Sequence, residues 1–283
     1  MLFATTSMAA RIERAEAETA KEFAERARTR NGDVLIAPIG GTHAIFAGEG
    51  QPFNKLAGLG FAPVDERDVA ALESLYDARS AEIRVEQSTL ADPAVASLLT
   101  RRGYVLAGYE NVLGLDLRAA RDGLARARDE DLARGLSIAR AETGDLRAWI
   151  DTVTDGFMHP DSFDGPPPTE SFPRDVIEGV FGDIGSATGT SLYLARLDGQ
   201  IAGGGSLRIS SGLAQLAGAS TLPAHRRRGV QSALLRSRLL DAADSGCDLA
   251  VVTTEPASKS QQNVQRAGFS LLYSRAVLIK SFQ

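Results

Sequence analysis

The chain has 283 residues, 43% of them hydrophobic and 24% charged, with a formal net charge of −5, the composition of a globular protein long enough for one large domain or two modest ones. That charge offers no general attraction for nucleic acid or an anionic membrane surface, so any anion binding must come from a local cluster. A single cysteine, Cys247, permits no intrachain disulfide, and the 3 histidines form no clustered ligand spacing, so no metal site is expected.

No stretch approaches the roughly 20 apolar residues of a membrane span. The opening "MLFATTSMAARIERAEAE" lacks the apolar core of a secretion signal, and its glutamates argue against a mitochondrial presequence. A cytoplasmic protein is expected, with Cys247 a free thiol beside a strand.

Residues 8–30 put Met8, Ile12, Ala15, Thr19, Phe23 and Ala27 on one helical face. "DVLIAPI" and "THAIFAG" read as strands around the Gly40-Gly41 turn. Asp65 caps a helix carrying Val69, Leu72 and Leu75, and "AEIRVEQST" alternates like a strand. Asp92 as cap, Pro93 at the first helical position and Gly103 past the end frame another helix, before "YVLAGYENVLGLDL" returns as strand.

"RAARDGLARARDEDLARG", 118–135, is charged and weakly patterned, which suits a helical or loose connector better than a core element. It divides the chain into residues 1–125 and 126–283. Past it, "LSIARAE" is a strand, Thr143 starts a helix with Leu146, Trp149, Ile150 and Val153, and "MHPDSFDGPPPTESF" is a Pro-rich loop before a helix from about 171 to 182. "SLYLARLDGQIAGGGSLRIS" is a hairpin turning at Asp198-Gly199, followed by the strand "LAQLAGAST". A helix with Leu235, Leu239 and Ala242 on one side, the buried strand "DLAVVTT", a short helix from Ser260 to Gly268 and the strand "FSLLYSRAVLIK" complete the pattern.

Two half-chains repeat. Gly103-Tyr104 and Gly268-Phe269 lie 165 positions apart, and the same offset lays "RVEQST" on "LAVVTT" and the helix after Asp65 on the helix after Gln231. It also sets "RRRGVQ", 226–231, opposite "FAPVDE", 61–66, where the first copy has neither the glycine nor the arginines.

That basic turn is the most informative stretch. The first turn of a helix, here Val230, Gln231 and Ser232, leaves peptide N–H groups unpaired at the positive end of the helix dipole. Gly229 allows a tight turn and close approach to a phosphate, and Arg226, Arg227 and Arg228 add attraction. A solvated basic turn would also carry arginines, but the incoming strand ends in the small residues Ala217, Gly218, Ala219 and Ser220, against which an extended ligand can lie.

The strand, basic glycine turn, helix and buried strand together resemble the GNAT superfamily of acyl-CoA-dependent N-acyltransferases. That family's pyrophosphate loop reads Gln/Arg-x-x-Gly-x-Gly/Ala; Arg226 and Gly229 match, and Gln231 departs at the last position while keeping its N–H. The order of elements over about 136–281 agrees, and the first half resembles a degenerate copy. The implied fold is mixed α/β: two tandem GNAT-like domains, each a mixed sheet flanked by helices, with one acetyl-CoA bound per chain.

The resemblance implies a pantetheine arm pairing with Ala219, Ser220 and Thr221, with Thr253 and Thr254 facing the thioester and a nearby N–H stabilising the developing oxyanion. A neutral amine acceptor would attack the acyl carbonyl directly. The family's tyrosine acid, four residues before Gly-Phe, is Val264 here, so Tyr273 is the substitute candidate, and Asn263 is placed to donate to the cofactor. Glu255, His159 or water would act as general base. Asp161, Asp164 and Glu170 would suit a cationic acceptor, and His225 reads as a surface residue. A non-catalytic CoA-binding module and a nucleotide-phosphate binder remain as alternatives, in a monomer or homodimer.

Overall fold

The computed structural model describes residues 2–160 and 172–282. The first half begins with helix α1 (Thr6–Ala27), capped by the Thr5 side chain and buried along Ala9, Ile12, Ala20, Phe23 and Ala24. Strands β1 (Leu35–Ile39), β2 (Thr42–Phe46), the two-residue β3 (Leu56–Ala57) and β4 (Ile83–Ser88) follow, with α2 (Glu66–Asp77) before β4 and α3 (Pro93–Arg101) between β4 and β5 (Val105–Asp116). Asp65 and Asp92 cap α2 and α3 through their carboxylates.

After α4 (Leu117–Ala133), the second half contains β6 (Leu136–Arg140), α5 (Leu146–Met158), α6 (Arg174–Ser186), β7 (Thr190–Leu197), β8 (Gln200–Ser210), β9 (Leu213–Thr221), α7 (Val230–Asp244), β10 (Leu249–Thr254), α8 (Lys259–Arg266) and β11 (Ser270–Lys280). Thr143 opens a 3-10 turn closed by a Glu142–Asp145 capping box, and α5 starts after it. The 165-residue offset superposes α2 on α7, β4 on β10, α3 on α8 and β5 on β11 in sequence position.

Among the described residues the strands form one 11-stranded sheet in the order β1-β2-β3-β4-β11-β5-β10-β9-β8-β7-β6. The last strand of each half has crossed over. β11 runs antiparallel to β4 of the first half, β5 runs antiparallel to β10 of the second, and β5 and β11 pair with each other at the centre. Each half therefore completes its sheet with a strand from the other, about a pseudo-twofold between β5 and β11.

The stretch read as a connector is α4, and it belongs to the second half's core. Asp116 caps it, and Leu117 and Leu124 are buried with Leu136, Leu234 and Leu239. Asp131, 2% exposed, accepts from Arg236 at 2.6 and 2.8 Å and from Arg134 at 2.5 Å, so an acidic residue docks α4 onto α7. The charges that weakened the sequence pattern are partly the docking groups themselves.

Candidate active site

The site follows from where two parallel strands part. β9 and β10 pair only through Leu213, Ala214 and Gln215 with Leu249, Ala250 and Val251, yet β9 runs on to Thr221 and β10 to Thr254. Between them opens a cavity of about 420 Å³, lined along β9 by residues 216–220, from α5 and α6 by Val153, Phe157 and Phe181, and from α7 by Gln231, Ser232, Leu235 and Arg238. Val252 and Thr253 of β10 and Ser260, Asn263 and Val264 of α8 close it. A bulge on the other edge of β9 sets Gly218 and Ala219 opposite the single Gly205 of β8, bending β9 away from β10.

At the mouth, Gly229 is the N-cap of α7 with φ +84°, in the left-handed region, and no side chain caps the helix. The first hydrogen bond of α7 runs from Ala233 N–H to Gly229 C=O. Among the described residues the peptide N–H groups from Arg227 to Ser232 have no partner, which leaves a row of donors at the positive end of a 15-residue helix. In the first half, Asp65 caps α2 by accepting from Arg67 N–H. The equivalent helix thus supplies its own carboxylate where α7 offers open donors.

The arginines divide the work. Arg226 braces the turn against α5, donating through Nη2 to the carbonyls of Gly156, at 3.3 Å, and His159. Arg228 pairs with Asp198 at 3.2 Å, and Arg227, at φ +61°, is exposed.

The cavity continues inward to an arginine that the sequence reading did not single out. Arg238 is 2% exposed and donates to the carbonyls of Leu234 (3.1 Å), Ser206 (2.9 Å) and Ala217 (3.4 Å). Burial pulls its pKa down to about 10. The glycine run of β8 makes the room: a Cβ on Gly205 would stand 3.1 Å from the Arg238 guanidinium carbon, and Gly205 C=O accepts from Trp149 Nε1 at 3.2 Å. The signals were present in sequence. A Gly-Gly-Gly run inside a strand marks close approach, and Arg238 occupies the apolar stripe between Leu235 and Ala242.

Of the residues expected to hold a cofactor, Ala219, Ser220, Gln231, Ser232 and Asn263 line the cavity. Thr221 lies at the end of β9, and Val230 is buried beneath the turn. Strand alternation turns Thr253 toward the cavity and Thr254 away from it, buried at 5% exposure. His159 and Glu255 are exposed and do not line the cavity; His159 Nδ1 lies 2.9 Å from Asp155 C=O. Asp161, Asp164 and Glu170 lie outside the described residues.

Tyr273 requires correction as an acid candidate. Its hydroxyl is buried and donates to Glu13 Oε1 at 2.8 Å, and burial beside that carboxylate raises its pKa. It belongs to a cluster that fills the first half's counterpart of the groove. Glu13 of α1 also accepts from Arg275 Nε at 2.7 Å and from Gly58 N–H at 3.1 Å, just past β3. Lys55 joins Glu16 at 2.6 Å and Glu86 at 3.3 Å. Side chains from α1 thus occupy the region of the β3–β4 parallel pair, the counterpart of β9–β10.

Residues 158–269 match the sequence profile of the acetyltransferase (GNAT) family. A search of curated proteins finds no match. Among solved structures, a GCN5-related N-acetyltransferase from Kribbella flavida aligns with a TM-score of 0.63 and 19% identity over 96% of this chain and 95% of its own. A tandem GNAT protein from the clavulanic acid biosynthesis pathway aligns with a TM-score of 0.59 and 13% identity over 99% and 97%. Residues 158–269 therefore carry a GNAT-family domain, within a chain whose fold is similar to that of a tandem GNAT protein.

Proposed function

We propose that the second half is an acyl-CoA-dependent N-acyltransferase, with acetyl-CoA the simplest donor and an amine the acceptor. The observation that carries this reading is the row of free peptide N–H groups from Arg227 to Ser232, opening onto a cavity between two parted parallel strands. A diphosphate suits those donors, and a pantetheine arm suits the unpaired inner edges of β9 and β10.

In this reading Val230, Gln231 and Ser232 hold the diphosphate through backbone N–H, with Arg227 and Arg228 adding charge. Ala219, Ser220 and Thr221 meet the amides of the arm, and Asn263 donates from α8. When bound, the thioester supplies the acyl group: the amine nitrogen forms the new C–N bond, the C–S bond breaks, and the proton from nitrogen passes to solvent or to the departing sulfur. An ammonium acceptor first gives its proton to water, His159 or Glu255. The site is cytoplasmic in this proposal, and the chain works as a monomer or homodimer.

Calorimetric titration with acetyl-CoA is expected to give one site per chain, because Asp65 and the Glu13 cluster occupy the first half's equivalents. Thiol release across a panel of amines checks turnover. Two sites, or competition by ATP as strong as by CoA, would overturn the reading; binding without thiol release for any amine would favour a non-catalytic CoA module.

A further inference from the structure

Among the described residues lining the cavity, Arg238 is the sole ionisable group. Its known partners are three backbone carbonyls, and no carboxylate pairs with it. Asp241, one turn further along α7, is engaged by Arg140 at 2.8 Å and Tyr193 at 2.7 Å. A buried cation held only by carbonyl dipoles is costly unless something neutralises it. Nη2 of Arg238 has no partner among the described residues, and the residue lines the cavity.

The position along the cavity matters as much as the charge. Gln231 and Ser232 mark the mouth, and Arg238 lies seven residues on, about 10 Å down the helix axis, beside Ala217, where β9 and β10 converge. An arm anchored at the mouth would bring its reacting end toward this guanidinium. The β8 glycines keep the space open, since any side chain at 205 would press on Arg238.

We propose that Arg238 receives a carboxylate of the reacting molecules, carried either by the acyl chain of a dicarboxylic-acid thioester or by an amino-acid acceptor. The proposal rests on the acyltransferase reading above. Its chemistry is specific: Nε and Nη1 are held by carbonyls, and the open Nη2 group of the guanidinium donates charge-assisted hydrogen bonds to a carboxylate, which a neutral acyl or amine group cannot replace.

The test uses the full-length protein in two arms. Malonyl-CoA and succinyl-CoA are compared with acetyl-, propionyl- and butyryl-CoA by kcat/KM and by displacement of a bound CoA analogue. Alanine, phenylalanine and lysine are compared with ethylamine, phenethylamine and cadaverine. One arm is expected to favour the carboxylate-bearing member at least tenfold, and Arg238→Met is expected to reduce that ratio to about one, with Arg238→Lys retaining part of it. If these variants fail to fold, Gly205→Ala, which displaces the guanidinium without removing it, should also shrink the ratio. A wild-type preference below tenfold in both arms, or a preference that survives in Arg238→Met or Gly205→Ala, overturns the assignment. CoA binding with flat preferences sinks this inference alone, whereas failure of CoA to bind sinks the acyltransferase reading itself.

Discussion

A side chain at position 229 would act on the backbone and on the anion seat together. The left-handed φ of +84° costs a non-glycine residue about 1–2 kcal/mol, and a carboxylate there would fold back onto the donors reserved for ligand, as Asp65 does on α2. Space is not the obstacle, because a Cβ would meet only Leu136 at 3.5 Å. Gly229→Glu is therefore expected to stay folded, with a melting temperature a few degrees lower, and to lose at least a hundredfold in CoA affinity by calorimetry. Tyr273→Phe should do the reverse: it removes one donor to buried Glu13, costing about 1–2 kcal/mol, while kcat and its pH profile stay as in wild type. At this scale the uncapped helix start at Gly229 could be read from sequence because a glycine before a helix has a local backbone meaning. The role of Tyr273 could not, since only the fold brings Glu13 to it across 260 positions.

Helix α1 is the element that makes the two halves differ at their parallel strand pairs. Its acidic residues Glu13 and Glu16 look solvated in a linear pattern, yet they meet Lys55, Arg275 and Tyr273 beside the first half's parallel strand pair. Burial works against the Glu16 charge, but Lys55 and Arg275 outweigh it and lower its pKa from 4.5 to about 2. A carboxylate depressed in this way contributes stability that is full above the unfolded value of 4.5 and disappears as pH falls through about 2. Since the side chain keeps 23% exposure, Glu16→Gln is expected to cost about 2 kcal/mol at pH 7, less than removing one partner of a fully buried pair. Urea unfolding at pH 7, 4 and 2.5 should show the difference closing toward the lowest pH. Most helices and strands were legible within a few residues, because Asp65, Asp92 and Gly229 mark helix starts by their own chemistry. β3 was not, since two residues carry no period, and the place of α4 in the core was not, since the charges around Leu117 and Leu124, the docking Asp131 among them, blur its apolar face.

For the whole molecule, the repeat announced two similar halves but not which half each terminal strand would complete. β5 and β11 occupy equivalent positions in the repeat, so either exchange or self-closure satisfies the same alternation; only the packed sheet distinguishes them. The exchange makes the halves interdependent. When the chain is divided at Gly135 and the pieces are produced separately, neither is expected to show a cooperative thermal transition by circular dichroism, and mixing them should restore one. A cooperative transition in either piece alone would contradict the interdependence.

The crossing of β11 also imposes a schedule on biosynthesis. β4 and β5 leave the ribosome with the entire second half still to be made, and the gap between them is filled only when β11 follows. Until then the facing edges of β4 and β5 lack their final partner, an arrangement of the kind that draws non-native pairing, so the yield of active protein is expected to rise when chaperones are co-produced.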